Sequence, residues 1–490
     1  MSSTLQQALD SLKAGRPAAT ERLHSLIRIA SVSNAPGFDT ELDAAADWVA
    51  EQLREIGLSE VRLHRVGATD LADAAGTTEA TKARRPQLVL ASDDSAGPDA
   101  ELVLFYGHYD VQEEGPAWSI CTAFDPKSVN GRTYGRGAGD NKGPVIAFME
   151  ALRAWKVGTG RLPVRVRIIL EGQEESGSGA IIDFLASELG KAFIEGASTV
   201  LVADTLASPD GRPSITFGLR GLSYFHLEVL GPGTQTHSGH GGGNIQDPGG
   251  ALAHLLASIW DPRTRTFLVP GLVDRVTPLS EREGQLLDTS PITAESMQKE
   301  SGGVPALIQV PNSTPARQMG ALPAFTVHTL ITGAPKPGAT PTNIPTSAEA
   351  NFSIRLVPDQ NPEEIGRLVE EHLNGVVREV LHDTVRIKLT MEKGSFPVRF
   401  SPESPQIEAA AQAMTSAWGT APAFLLAGGS IPIVGHFQAL LPAPIILWGG
   451  TNADSSFHGP NENLTDHNFF ASAEGMVHLL YNLSTVSRAA

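Results

Sequence analysis

An α/β fold, built as a mainly parallel sheet flanked by helices and interrupted by an inserted α+β unit, is what three observations predict. Short apolar runs alternate with segments of helical periodicity from the N-terminus to about residue 214, the signature of a parallel sheet. From 215 to 397 strand-like segments dominate and alternate in the antiparallel manner. Strand–helix alternation then resumes, so the division expected is 1–214 and 398–490 for the α/β part and 215–397 for the insert.

Residues 4–29 read as helical in two pieces, with Pro17 in the first turn of the second before Leu23, Leu26 and Ile27. Leu42, Ala46, Val49, Leu53 and Ile56 recur at helical spacing and Gly57 ends that helix. Strands are expected at 61–66, 87–91 and 102–106, with the polar 67–86 stretch as a surface loop. A helix starts at Pro144 and runs through Trp155; a strand follows at 164–170, a helix at 181–189 and a strand at 199–203. In the insert, 215–230 reads as one long strand, 247–260 as a helix, and 262–320 as irregular. Strands at 325–332, 348–357 and 384–391 and a helix at 362–373 complete it. The last part contributes a helix at 405–418 with Ser404 as N-cap, a buried strand at 445–448, a polar loop at 452–458, and a final helix capped by Thr465 or Asp466.

Composition narrows the function classes. The 490 residues, 41% hydrophobic and 19% charged, are those of a folded globular protein. A net charge of −17 and the lack of any basic block exclude nucleic acid and anionic membrane surfaces as expected partners. No run of about 18 apolar residues suggests a membrane span, and Met1–Gln7 has neither the charged nor the apolar region of a secretory signal. The single Cys121 excludes an internal disulfide and a cysteine-cluster metal site, and suits a cytoplasmic location.

The chemistry collects where apolar runs end. Leu102–Tyr106 leads into Gly107-His108-Tyr109-Asp110. Residues i and i+2 of a strand point the same way, so Asp110 is placed to orient the ring of a ligating His108. Asp140, the Glu174-Glu175 pair and Asp204 are read as arriving at three further strand ends, and His458 in the loop after 445–448. Taken singly, each has an ordinary explanation as a turn residue or a solvated pair. Jointly, four or five acids at one sheet edge require cations, because a buried unpaired carboxylate costs several kcal/mol. Two histidines with carboxylates and no thiolate suit divalent Zn²⁺, Mn²⁺ or Co²⁺. Gly135-x-Gly-x-Gly139 is neither a dinucleotide fingerprint nor a phosphate loop.

These motifs, together with Gly135-Arg136-Gly-Ala-Gly-Asp140-Asn-Lys-Gly143 and Glu174-Glu175-Ser-Gly-Ser178, resemble the M20 family of co-catalytic metallopeptidases over nearly the whole chain. Tyr106-Gly-His-Tyr-Asp-Val-Gln112, Ser353-Ile-Arg-Leu-Val-Pro358 and Gly428-Gly-Ser-Ile-Pro432 look most like its carnosinase and cytosolic nonspecific dipeptidase branch. The resemblance implies two divalent ions per subunit, zinc first. His108, Asp140 and Asp204 would hold one, and Asp140, Glu175 and His458 the other. It implies a cis peptide at Asp140–Asn141, and ions about 3.5–4 Å apart that lower the pKa of a shared water. Glu174 would be the general base. His237, in Thr236-His237-Ser-Gly-His240, would reach a neighbouring subunit's site to stabilise the oxyanion, with the insert as lid and dimerisation domain. Arg355 would bind the substrate's C-terminal carboxylate, assisted by Asn343 and Ser430.

The activity implied is cleavage of dipeptides or short peptides with a free C-terminus by a homodimer. An N-acyl or carbamoyl amino acid amidohydrolase is the alternative on the same centre. A metal-binding or peptide-binding protein with a dead site is opposed by the intact ligand set and Glu174. The segment 113–121, with Trp118 and Cys121, and Ser455-Ser456-Phe457 depart from the branch's usual pattern and bear on substrate choice. Cys121 is expected to be a packing residue.

Overall fold

The structure is a computed structural model that describes residues 2–66, 86–333 and 340–486. Of the polar 67–86 stretch, only residue 86 is among them.

A nine-stranded sheet forms the centre. Its order is Glu60–His64, Leu88–Asp93, Arg165–Glu171, Leu102–His108, Thr199–Leu206, Ile445–Thr451, Ser214–Leu219 and Val398–Arg399, with Ala423–Ala427 also paired to Ser214–Leu219. The four middle strands, from Arg165–Glu171 to Ile445–Thr451, are mutually parallel. Antiparallel pairs flank them on both sides, so the whole sheet is mixed.

Both faces of that centre are covered, which explains its unbroken apolar runs. Val103 and Phe105 pack toward the helices Ser3–Ile27, Asp39–Ile56, Lys142–Thr159, Pro405–Trp418 and Asp466–Thr485. Leu102, Leu104 and Tyr106 face the opposite layer, which includes Gly179–Ala186 and Pro432–Leu440. Fully burying one such side chain is worth about 1.5–3 kcal/mol.

A second sheet, antiparallel, has the order Ala324–Thr332, Ser347–Leu356, Gly221–Leu230, Arg386–Ser395. One face, including Phe225, Leu227, Phe352 and Ile354, packs on the helices Pro248–Ala257 and Pro362–Glu379. Its other face carries Glu349, Asn351 and Arg355 in strict alternation with the buried row.

Several elements differ from expectation. The N-terminal segment is one helix, Ser3–Ile27, with Pro17 inside it. Proline lacks an N–H and crowds the preceding turn, yet Leu5, Leu12, Leu23 and Leu26 bury one continuous stripe that holds the helix together. The 215–230 run is two strands broken at Arg220: Ser214–Leu219 pairs in the large sheet and Gly221–Leu230 in the small one. Residues 262–320 are not irregular but contain the helices Glu281–Asp288, Ala294–Glu300 and Pro315–Ala321. Their capping residues Ser280, Thr293 and Thr314 are legible, but the helices are too short for periodicity to register. Ser404 and Thr465 cap their helices as expected.

Candidate active site

Parallel strands present their C-terminal ends along one edge, and three of the middle four deliver polar residues there. Leu102–His108 ends on His108, Arg165–Glu171 runs into the short turn Glu174–Ser176, and Thr199–Leu206 carries Asp204. His458 follows the fourth, Ile445–Thr451, in left-handed backbone (φ 59°). That region is sparsely used by residues other than glycine and aspartate-like ones. Asp140 is a correction: it sits not at a strand end but one residue before the N-cap of Lys142–Thr159. The Asp140–Asn141 peptide is cis, as the resemblance implied.

The five residues converge. His108 Nε2 lies 3.1 Å from Asp140 Oδ1 and 3.8 Å from Asp204 Oδ1. His458 Nε2 lies 3.0 Å from Asp140 Oδ2 and 3.1 Å from Glu175 Oε2. Donor atoms of His108, Asp140 and Asp204 fall within 4.8 Å of one another, and so do those of Asp140, Glu175 and His458. Asp140 belongs to both groups, one carboxylate oxygen toward each histidine. All but His458 are largely shielded; its side chain is 52% exposed and forms the open rim.

Asp110 stands behind this shell. Its Oδ1 is 3.3 Å from His108 Nδ1, it accepts from Ser33 Oγ at 2.6 Å, and it accepts the backbone N–H groups of Glu174 and Glu175 at 3.3 and 3.1 Å. Asp110 therefore orients the His108 ring, its backbone carbonyl lying 3.1 Å from Nδ1 beside the carboxylate, and its carboxylate holds the turn carrying Glu174 and Glu175.

Four supporting residues were not singled out from sequence. Asn141 accepts from the His108 N–H at 3.4 Å and donates to Asp204 Oδ1 at 3.0 Å. Gln112 donates to Glu175 Oε2 at 2.7 Å. Glu462 Oε1 accepts the backbone N–H groups of Gly137, Gly139 and Asp140 at 3.1, 3.0 and 3.0 Å, and its other oxygen pairs with Arg136 at 2.8 Å. Arg136 also donates to the carbonyls of Glu113, Glu114 and His458, tying the atypical 113–121 segment to the rim. Glu462 lies over 320 residues from its partners, so nothing local marks it; Gln112, Arg136 and Asn141 all fall inside motifs that the sequence presents. Gly107 has a local reason: a Cβ there would lie 2.7 Å from Val145 and 3.0 Å from Asn141 Oδ1.

Electrostatics follow from crowding carboxylates in a buried place. Burial pushes Asp204 up to about 6, with the Asp140 charge adding to it. Burial also raises Glu174 well above the usual carboxylate range; Asp204, Asp110 and Glu175 reinforce this against the opposing His108. Burial would raise Asp140 too, but hydrogen bonds from His108 and His458 outweigh it and hold it low. Hydrogen bonds to Asp140 and Glu175 lift His458 to about 10. Such a cluster of oxygen and imidazole donors, starved of positive charge, fits divalent cations.

The remaining residues are not in this cluster. His237 is exposed on the short strand Thr236–His237, paired with Asn343 on Asn343–Ile344, and its Nδ1 accepts from Gly239 N–H at 3.0 Å. Arg355 Nη1 donates to Ser430 Oγ at 3.3 Å. Thus Arg355 and Ser430 meet, His237 and Asn343 meet, and no hydrogen bond or ion pair among the described residues joins either pair to the histidine–carboxylate cluster. Cys121 is buried, and burial raises its thiol, consistent with packing.

Comparisons with known proteins agree with this geometry. The chain is 31% identical over 441 residues to the human Beta-Ala-His dipeptidase, covering 90% of this chain and 84% of that one. It is 29% identical over 470 residues to a Cys-Gly metallodipeptidase of Candida albicans, covering 95% and 94%. The solved structure of the dipeptidase Dug1p from Saccharomyces cerevisiae superposes with a TM-score of 0.81 at 27% identity, over 99% of this chain and 100% of that one. The profile of peptidase family M20/M25/M40 matches residues 104–482. With that match joined to the histidine–carboxylate cluster, the chain belongs to peptidase family M20/M25/M40 and is a metal-dependent hydrolase.

Proposed function

We propose that this protein hydrolyses dipeptides, or short peptides with a free C-terminal carboxylate, at a centre of two divalent ions. The observation that carries the reading is Asp140 shared between two ligand groups, with the buried Glu174 carboxyl near enough to feel the charges of His108 and Asp204. His108, Asp140 and Asp204 would hold one ion, and Asp140, Glu175 and His458 the other; zinc suits the nitrogen and oxygen donors. When bound, the ions supply Lewis acidity that polarises the scissile carbonyl and acidifies water. Dipeptide substrates are supported by the named activities of the relatives, a Cys-Gly and a Beta-Ala-His dipeptidase.

The chain's own groups supply the proton traffic and the grip. Glu174, whose carboxyl is raised by burial, accepts the proton of the attacking water and returns it to the leaving amine. Asp110 fixes the His108 ring and the Glu174 backbone through the contacts above. Arg355, with Ser430 at its tip, clamps the substrate carboxylate. His237 and Asn343 are exposed and away from the cluster, which supports their serving the site of a second copy in a homodimer. In this reading residues 215–397 act as lid and dimerisation unit, and the single cysteine favours the cytoplasm. No helix among the described residues is long and apolar enough to cross a membrane.

The test is a panel of dipeptides beside their N-acetylated forms, run with Zn²⁺, Mn²⁺ or Co²⁺ and with ions counted per chain. Free dipeptides should be cleaved, chelation should abolish turnover, and two ions should be found. Preference for the acetylated forms would transfer the centre to acyl-amino-acid hydrolysis.

A further inference from the structure

Apart from the histidine–carboxylate cluster, Arg220 is an unusual side chain among the described residues. It occupies the break between Ser214–Leu219 and Gly221–Leu230 and is only 8% exposed. One Nη donates to the Gln318 carbonyl, but its Nε has no hydrogen-bond partner, and no carboxylate pairs with it among the described residues. Burial, with Arg355 nearby, lowers it to about 10, and no acid opposes that shift. A buried cation without an anion is costly, and this chain, with a net charge of −17, has acids to spare.

Arg220 lines a cavity of about 590 Å³. Its walls are mostly apolar, with Trp260, Phe267, Met297, Met319 and Phe325 among them, and the only charged lining residues are Arg220 and Arg265. Small-molecule sites are typically about 300–1,000 Å³, apolar, with a few polar groups that orient the ligand. The geometry points to a second binding site, separate from the metal centre, for an apolar carboxylate: its anionic end on Arg220 and its hydrocarbon body against Trp260 and Phe267. The backbone carbonyl of Arg220 accepts from Ser430 Oγ at 2.5 Å, and Ser430 meets Arg355. The site therefore backs directly onto the Arg355–Ser430 pair.

The test uses the metal-loaded protein titrated calorimetrically with octanoate, octanol and octylamine. Octanoate should bind, and octanol should bind at least about 10-fold more weakly, the worth of one charged hydrogen bond. Octylamine should not bind measurably. Arg220→Met should erase the preference for octanoate over octanol. Met297→Trp, which fills the cavity and leaves Arg220 in place, should weaken both and covers the case in which Arg220→Met fails to fold. Arg355→Met should leave octanoate binding intact. Equal affinity for acid and alcohol in the unmodified protein, or unweakened octanoate binding by Met297→Trp, would overturn the assignment. So would loss of binding in Arg355→Met, which would place the carboxylate at the substrate clamp instead.

Discussion

The nine-stranded sheet and the smaller antiparallel sheets of residues 221–395 treat their polar residues in opposite ways. At the edge of the large sheet, His108, Asp204 and the Glu174–Glu175 turn leave parallel strands side by side; Asp140 and His458 close on His108 and Glu175, and on each other, within 3.0–3.1 Å. On the small antiparallel sheet, Arg355 reaches out to Ser430, which follows a strand of the large sheet, while His237 and Asn343 stand exposed on a separate two-stranded ribbon. Parallel topology aligns every C-terminal end on one edge, so a single chain can assemble a cluster there. Antiparallel strands scatter their ends, so the polar side chains they carry do not collect at one edge.

The largest test of that contrast is Asp140→Asn, which strikes the residue common to both ligand groups. Loss of at least about 10³-fold in kcat/KM is expected, roughly 4 kcal/mol, with ion content per chain falling at both positions. Retention of two ions would show that the cluster does not depend on the shared carboxylate.

On the other unit, His237→Ala should cost about 10²- to 10³-fold in kcat, the usual loss for one oxyanion donor, with ion content unchanged. Mixing this variant with Glu174→Gln should restore part of the activity, because one site of the mixed dimer regains both groups. If mixing restores nothing, His237 serves its own subunit.

Arg355→Met should raise KM by about 10- to 100-fold, as expected for a lost charged hydrogen-bond partner, with less effect on kcat. An equal fall in kcat at unchanged KM would assign Arg355 to the chemistry rather than to the grip.

The last test reads stability instead of turnover and concerns Glu171, at the end of its parallel strand beside His108. Burial, with the Asp110 charge adding, pushes its carboxyl up to about 8 from 4.5. Tyr106 and Ser178 donate to Oε1 at 2.7 and 2.9 Å. The folded value lies above the unfolded one, so the native state keeps a proton that the unfolded chain has lost. Stability should therefore fall as pH rises from about 4.5 to 8, by on the order of 1 kcal/mol per pH unit. Glu171→Gln keeps the shape and should flatten that dependence; urea unfolding of both proteins at pH 6, 7 and 8 checks it.

Much of the cluster was legible because each ligand sits in a short, locally odd stretch, such as an apolar run ending in Gly107-His108-Tyr109-Asp110. Where reading failed, competing forces were non-local. Pro17 argued for a helix boundary, but a continuous stripe of leucines packed on the core kept one helix. The run 215–230 is uniformly strand-like, and only pairing with two different sheets reveals the break at Arg220.

By itself, the sequence determined the α/β class, four of the five clustered residues together with the Glu174–Glu175 pair, and the orienting role available to Asp110, because these depend on local periodicity and residue chemistry; the choice of Glu175 within that pair came from the family resemblance. Only the tertiary structure decided that Asp140 enters ahead of a helix, that Glu462 gathers three backbone N–H groups around it, and that Arg220 is left buried without an anion. Those outcomes turn on which distant groups share one small volume, and a carboxylate or guanidinium carries no mark of its future partner until the chain has folded around it.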